Sequence, residues 1–204
     1  MIAVLRLRAY RRLFAAQVVA LLGTGLATVA LSLLAFDLAG ADAGTVLATA
    51  LTIKMVSYVT LAPFASALAQ ALPRRAWLVG LDAVRAAVAL ALPFASEVWH
   101  IYLLIFLLQA SSAEFTPVFQ ATIPDVVTDE DEYTQALSLS RLAYDLESLV
   151  SPALAAALLV LVASGTLFFG TALGFAASGL LVASVRLPGP AGKPKGSVWQ
   201  RSRR

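Results

Sequence analysis

The chain has 204 residues, of which 60% are hydrophobic and only 13% are charged, and its formal net charge is +3. A soluble domain usually has about 45–50% apolar and about 25% charged residues, so this composition excludes an ordinary soluble enzyme, a disordered protein and a nucleic-acid-binding protein. Cysteine is absent and histidine occurs once, so we expect no disulfide framework and no metal site.

Six apolar stretches follow one another along the chain, and each is long enough to cross a hydrocarbon core of about 30 Å as an α-helix. They cover residues 13–36, 43–72, 76–94, 98–119, 133–163 and 166–185. Strands are not expected, because the stretches are long and lack alternating polarity. The sequence therefore predicts an all-α membrane protein, with a six-helix transmembrane bundle over residues 1–187. Residues 188–204 form a basic tail or the start of a central loop.

Positive charge is concentrated in segments that the predicted spans bring to one side of the membrane. All but three of the 15 Lys and Arg residues lie before residue 13, in the turn at residues 73–75, or beyond residue 185. The positive-inside rule assigns such segments to the cytoplasm. We therefore predict a multi-pass protein of the cell inner membrane, embedded in the lipid bilayer, with both termini cytoplasmic and no nucleic-acid partner.

Several charged residues lie inside the predicted spans, where a charge at mid-bilayer costs at least about 2.5–3.5 kcal/mol and needs a partner or water. Asp82 and Arg85 are three positions apart, and Arg141 and Asp145 are four apart, so each pair can meet on one helix face. One interpretation is a structural ion network, formed by Asp82, Arg85 and Arg141, that joins the helices in the cytoplasmic half of the bundle.

Proton coupling is the other interpretation of these charges, with Glu114, Asp145 and Glu147 as candidates. A carboxyl group in a cavity of low dielectric constant can bind a proton on one side of the membrane and release it on the other. Asp145 and Glu147 are about 200° apart around their helix, so only one of them is expected to face a central cavity. Lys54, near mid-membrane, either pairs with an acidic residue or, as we hypothesise, lines the transport path.

The turn between the second and third spans carries a motif. Residues 63–75 read Pro-Phe-Ala-Ser-Ala-Leu-Ala-Gln-Ala-Leu-Pro-Arg-Arg and resemble the cytoplasmic loop signature of the major facilitator superfamily, Gly-x-x-x-Asp-Arg-x-x-Arg-Arg. Arg74 and Arg75 match the final arginines of that signature. Gln70 stands where the family has Asp.

Two further motifs resemble the efflux branch of this family. Asp82-Ala-Val-Arg85 is similar to the Asp-x-x-Arg found in the third helix of the branch that includes enterobactin and macrolide exporters. The fifth span contains Ser151-Pro152-Ala-Leu-Ala-Ala156, which resembles the antiporter motif of that helix. Small Ser and Ala replace the family's glycines there and still permit close helix packing.

The resemblance implies a fold and a function. The six helices would be two inverted three-helix repeats, forming the amino-terminal half of a twelve-helix fold. The implied function is secondary active export of a small molecule, coupled to protons, by a truncated or split half that is inactive alone. Its implied partner is the missing carboxy-terminal half or a second copy of the chain.

The sequence leaves one alternative open, a six-span membrane scaffold or assembly protein without transport activity. A catalytic role is not expected, because the sequence contains no glycine-rich phosphate loop, no ATP-binding motif and no plausible Ser–His–Asp arrangement. No cofactor is predicted. The energy for transport would therefore come from an ion gradient.

Overall fold

The computed structural model describes residues 3–71, 73–185 and 187, without the side chains of residues 3 and 62–71. These residues form α-helices and short 3-10 turns, and no strand occurs among them. The α-helices are α1 Arg8–Ala39, α2 Ala43–Ala71, α3 Arg74–Ala91, α4 Val98–Val126, α5 Glu130–Leu159 and α6 Thr166–Ala183. The predicted all-α fold class is confirmed for this part of the chain. The tail predicted over residues 188–204 lies outside it.

The helices are longer than some of the predicted spans. A charged residue or a proline ends an apolar stretch of sequence, but the helix can continue through it. α1 begins at Arg8, ahead of residue 13, since arginine is a good helix former. α4 continues beyond residue 119 to Val126, although Pro117 and Pro124 lie within it. α5 begins earlier than predicted because Asp129 caps it, with Oδ1 accepting hydrogen bonds from two backbone N–H groups at 3.0 Å.

Five helical segments in the described part are long and apolar enough to cross a membrane. They are Arg8–Leu61, Arg74–Phe94, Val98–Val126, Glu130–Leu159 and Thr166–Ala183. The first segment joins α1 and most of α2 through a 3-10 turn at Gly40–Asp42, which is why five segments are found where the sequence predicts six. Gly40 has a φ of 52°, a conformation that favours glycine.

The packing of the helices places α1 at the centre of the bundle. α1 contacts α5 and α6 extensively, α2 packs mainly on α4, and α3 packs on α4 and α6. Glycines bring α1 and α6 close together: a Cβ atom at Gly23 would lie 3.2 Å from the Thr171 carbonyl oxygen, and one at Gly174 would lie 3.2 Å from the Val19 carbonyl oxygen. Small residues permit such approaches between membrane helices.

The turn between α3 and α4 is held by a helix cap. The Glu97 side chain accepts a hydrogen bond from the first turn of α4, and His100 Nδ1 accepts one from the Glu97 backbone N–H at 3.2 Å. The Trp99 and His100 rings lie 4.0 Å apart, centre to centre. The single histidine therefore has a structural role at a helix end.

Candidate functional site

A cavity of about 380 Å³ lies between α1, α2, α3, α4 and α5. Its volume is within the range of about 300–1,000 Å³ that is typical of small-molecule sites. Three charged side chains line it, Lys54 from α2, Arg85 from α3 and Glu147 from α5. The polar part of the lining also includes Gln17, Thr24, Tyr58, Gln109, Thr116 and Tyr144. Charged and hydrogen-bonding groups from five helices thus converge on one space.

Lys54 and Glu147 line this cavity from different helices and carry opposite charges. No ion pair within 4.0 Å joins them, whereas three such pairs occur elsewhere in the described residues. Neither charge is therefore bound tightly by the other, and each can interact with water, a proton or a ligand. The structure brings together these two of the four residues predicted to take part in transport.

Arg85 is held on several sides next to the cavity. It forms a buried ion pair with Asp82, three residues earlier on α3. Ser178 Oγ on α6 donates a hydrogen bond to Asp82 Oδ2 at 2.8 Å. The guanidinium carbon of Arg85 lies 4.0 Å from the ring centre of Phe115 and 4.6 Å from that of Phe175, a cation–π arrangement. This cluster joins α3, α4 and α6, as expected of a structural network.

The structure places the other predicted charges away from the cavity. Arg141 Nε and Asp145 Oδ1 are 3.5 Å apart on an exposed face of α5, so Arg141 does not join the buried Asp82–Arg85 pair. Glu114 is partly exposed on α4 and is not part of the cavity lining. Of the three candidate carboxyl groups, the structure brings only that of Glu147 to the cavity.

Polar residues that the sequence analysis did not identify complete the site. Tyr144 Oη on α5 lies 3.3 Å from Thr116 Oγ1 on α4. Ser140 Oγ on α5 donates a hydrogen bond to Gln17 Oε1 on α1 at 2.7 Å. The signal in the sequence was present, because Gln17 is an isolated polar residue in a long apolar stretch, and such residues usually face the interior of the bundle.

The small residues of the fifth-helix motif have unequal roles. Ser151 is buried against α1, and a Cβ atom at Gly25 would overlap the Ser151 side chain and lie 2.7 Å from Glu147 Oε1. Glycine at position 25 therefore gives the Glu147 carboxylate room against α1. Pro152 and Ala156 are exposed on other faces of α5.

The structure describes only part of the loop motif at residues 63–75. Arg74 donates hydrogen bonds to the Ala121 carbonyl oxygen at 2.7 Å and to Asp125 Oδ2, so it fastens the start of α3 to the end of α4. Arg75 is exposed. The side chain of Gln70 lies outside the described part of the chain.

The described residues contain no group of three or more His, Asp or Glu side chains that could hold a metal ion. The family model of the Major Facilitator Superfamily matches residues 13–202 of the sequence, which is nearly its whole length. No curated protein matches the sequence.

Proposed function

The chain belongs to the major facilitator superfamily, whose members are membrane transporters rather than enzymes, and from this we propose that it exports a small molecule by alternating access, in exchange for protons. The observation that carries the proposal is the cavity of about 380 Å³ lined by Lys54 and Glu147. A carboxylate that faces such a cavity without a tight ion pair can bind a proton or a substrate in turn.

Glu147 is the proton-binding group in this proposal. When it is ionised, Lys54 on α2 provides a compensating positive charge in the same cavity, which lowers the cost of a charge in the membrane. When Glu147 binds a proton, the positive charge of Lys54 is no longer compensated. The bundle would then favour the other state of the alternating-access cycle. Tyr58 and Tyr144 line the same cavity and supply hydroxyl groups that can bind water or substrate.

The topology that we propose has six crossings, with α1 and α2 as separate spans. Arg8–Leu61 is 54 residues long, or about 80 Å as a continuous helix, more than twice the thickness of a hydrocarbon core. The turn at Gly40 lets α1 and α2 pack together, and Ala35 and Val46 lie in one apolar cluster with Ile101 of α4. The basic segments would lie in the cytoplasm of an inner-membrane protein.

The pattern of helix contacts supports two inverted repeats, α1–α3 and α4–α6. Exchanging α1 with α4, α2 with α5 and α3 with α6 converts the α1–α5 contact into the α2–α4 contact, and the α1–α6 contact into the α3–α4 contact. The α3–α6 contact is unchanged by this exchange. All of these contacts are extensive in the structure, as inverted repeats of this fold require.

We propose that a second six-helix bundle, from another half or another copy of the chain, completes the transport path. α2 and α5 both line the cavity, and both also expose large apolar side chains, such as Leu51 and Val59 on α2 and Leu149 on α5. A second bundle that packs on these faces would supply the opposite wall. The export direction is proposed from the antiporter-like motif at Ser151–Ala156.

The test measures proton-coupled transport in inside-out membrane vesicles, with a fluorescent pH indicator and a panel of dyes that includes ethidium and Hoechst 33342. We expect at least one dye to dissipate the proton gradient in vesicles that contain the protein, where a second copy of the chain would complete the transport path. Lys54→Met and Glu147→Gln should each reduce this signal about tenfold or more, because each leaves one membrane charge without its counter-charge. The matched control is Asp145→Asn, the same chemical change on the exposed face of α5. If transport and its pH dependence persist in both cavity variants, the proposal is wrong.

A further inference from the structure

Four exposed arginines lie close together in the sequence where α1 begins, and they are here called the arginine surface: Arg6, Arg8, Arg11 and Arg12. Arg8, Arg11 and Arg12 are separated by three and four positions at the start of α1, so they share one face of that helix. Arg6 ends the 3-10 turn that precedes α1. Four positive charges are therefore presented together at one end of the bundle.

The segment that carries these arginines is held in place by contacts with two other helices. Val4, in the 3-10 turn, is buried in one apolar cluster with Ala136 of α5. Tyr10 Oη donates a hydrogen bond to the Ala136 carbonyl oxygen at 2.9 Å. Arg12 Nη1 donates one to the Ser184 carbonyl oxygen at the end of α6, also at 2.9 Å. The arginines thus project from a packed segment, so a ligand that binds them need not order the backbone first.

The positive charge of the arginine surface is not neutralised by acidic side chains within the described part of the chain. None of the ion pairs within 4.0 Å that occur there includes one of these four arginines. α5, on which the segment packs, begins with acidic residues at positions 130–132, yet these do not pair with the arginine surface. The first turn of α1 contains no acidic residue, and the positive end of its helix dipole adds to the charge. The surface therefore favours an anionic partner.

The position of the arginines along α1 indicates which anion they meet. The apolar stretch of α1 begins at residue 13, so Arg12 lies about 1.5 Å and Arg8 about 7.5 Å before it along the helix axis. The headgroup layer on each side of a hydrocarbon core is about 5–7.5 Å thick. When α1 crosses a membrane, its three arginines therefore lie at the depth of the lipid phosphate groups.

We propose that the arginine surface binds the headgroup of an anionic phospholipid, with the guanidinium groups donating hydrogen bonds to the phosphate oxygens. Arginine is well suited to this contact, because its planar group donates two parallel hydrogen bonds to one phosphate. Binding of the anion also relieves the repulsion between like charges on one helix face. The proposal goes beyond the transport function and does not depend on it, since it requires only that α1 crosses the membrane.

The experiment measures equilibrium binding of phosphatidylglycerol, labelled with a fluorophore on one acyl chain, to the full chain in neutral detergent micelles. Unlabelled phosphatidylglycerol should displace the labelled lipid. Phosphatidylcholine with the same acyl chains should compete about tenfold more weakly, because its headgroup has no net charge. Inorganic phosphate at the same concentration should not compete, because it lacks the acyl chains that hold a headgroup at this depth. Higher ionic strength should weaken binding of the labelled lipid.

Single substitutions locate the site on the protein. Arg8→Gln and Arg11→Gln should each weaken phosphatidylglycerol binding about fivefold, the effect expected for one arginine at an anionic membrane surface. Arg11→Lys should retain more of the affinity than Arg11→Gln, because it keeps the charge and loses only the paired hydrogen bonds. Arg75→Gln is the matched control, since it removes the charge of an exposed arginine at the start of α3. Its affinity should stay within about twofold of that of the wild type.

Three results would overturn the proposal. Equal competition by phosphatidylcholine would mean that the acyl chains alone bind, and equal competition by inorganic phosphate would mean that the surface is a site for soluble anions. Equal losses in Arg8→Gln and Arg75→Gln would mean that positive charge attracts the lipid without a defined site. The competition experiments use the unaltered protein, so they remain decisive if a variant does not fold. Absence of dye transport would contradict the transport proposal and leave this one standing.

Discussion

The bundle contains two ion pairs of nearly identical sequence spacing in opposite environments. Asp82 and Arg85 on α3 are buried, with side chains 1% and 4% exposed, whereas Arg141 and Asp145 on α5 are 80% and 60% exposed. The buried pair is completed by Ser178 and two aromatic rings from neighbouring helices. The exposed pair has no ion-pair partner on another helix in the described part of the chain. Sequence spacing determines which side chains can form an ion pair, and helix packing determines how much that pair contributes to stability.

The largest effect expected from this comparison follows removal of the buried acid. Asp82→Ala leaves the Arg85 guanidinium buried without its counter-charge, which should cost about 3–5 kcal/mol. The free energy of unfolding in mixed detergent micelles measures this loss. The double variant Asp82→Leu with Arg85→Met is the control, because replacing both charges with apolar groups should recover most of the stability. A single variant that unfolds like the wild type would show that Arg85 finds another partner.

A smaller loss is expected from Ser178→Ala on α6. The hydroxyl donates to Asp82 Oδ2 at 2.8 Å in a buried site, and a hydrogen bond to a charged group contributes about 1.5–3 kcal/mol. The same unfolding measurement applies. Ser148→Ala is the matched control, because that hydroxyl donates only to a backbone carbonyl oxygen on the exposed side of α5. Equal losses in the two variants would contradict a special role for the buried cluster.

The packing of α5 against α1 depends on the absence of a side chain at Gly25. Gly25→Ala introduces a Cβ atom that overlaps Ser151 and approaches Glu147, so α1 and α5 must separate, at a cost of about 1–3 kcal/mol. Gly80→Ala is the control, since nothing lies within 4 Å of a Cβ atom there, and alanine favours a helix by about 1 kcal/mol. Alanine has the same helix preference at position 25, inside α1, so Gly25→Ala should be less stable than Gly80→Ala in thermal unfolding by about the cost of separating the helices. A Gly25→Ala protein stabilised as much as Gly80→Ala would contradict the close approach of α1 and α5.

Much of this fold could be predicted from the sequence, because apolar length and helical spacing are local properties. The all-helical class, the positions of the turns and the pairing of Asp82 with Arg85 all follow from them. The ends of α1 and α4 could not be read from apolar length, because Arg8 and Pro117 interrupt the apolar pattern without interrupting the helix.

The site itself was predictable only in part. Angular separation on α5 showed that Asp145 and Glu147 could not both face a cavity, but it gave no basis for choosing between them. The side of α5 that faces α1 is the one where Ser151 packs on Gly25, which is a contact between residues far apart in the sequence. For the same reason, spacing paired Arg141 with Asp145 correctly but could not show that this pair is exposed.

The smallest effect in the comparison is expected from the exposed pair. Asp145→Ala breaks an ion pair whose oxygen and nitrogen are 3.5 Å apart and whose side chains are mostly exposed. Pairs spaced four residues apart on a helix face that meets water contribute about 0.3–0.5 kcal/mol. We expect this face of α5 to meet water rather than lipid, because each charge would cost several kcal/mol in lipid, so the unfolding free energy should change by no more than about 0.5 kcal/mol. The double-mutant cycle with Arg141→Ala measures the coupling directly, and the corresponding cycle for Asp82 and Arg85 should give a coupling several times larger. A coupling of similar size at both pairs would mean that the outer face of α5 is buried in the assembled protein, with Arg141 and Asp145 at an interface with a second bundle.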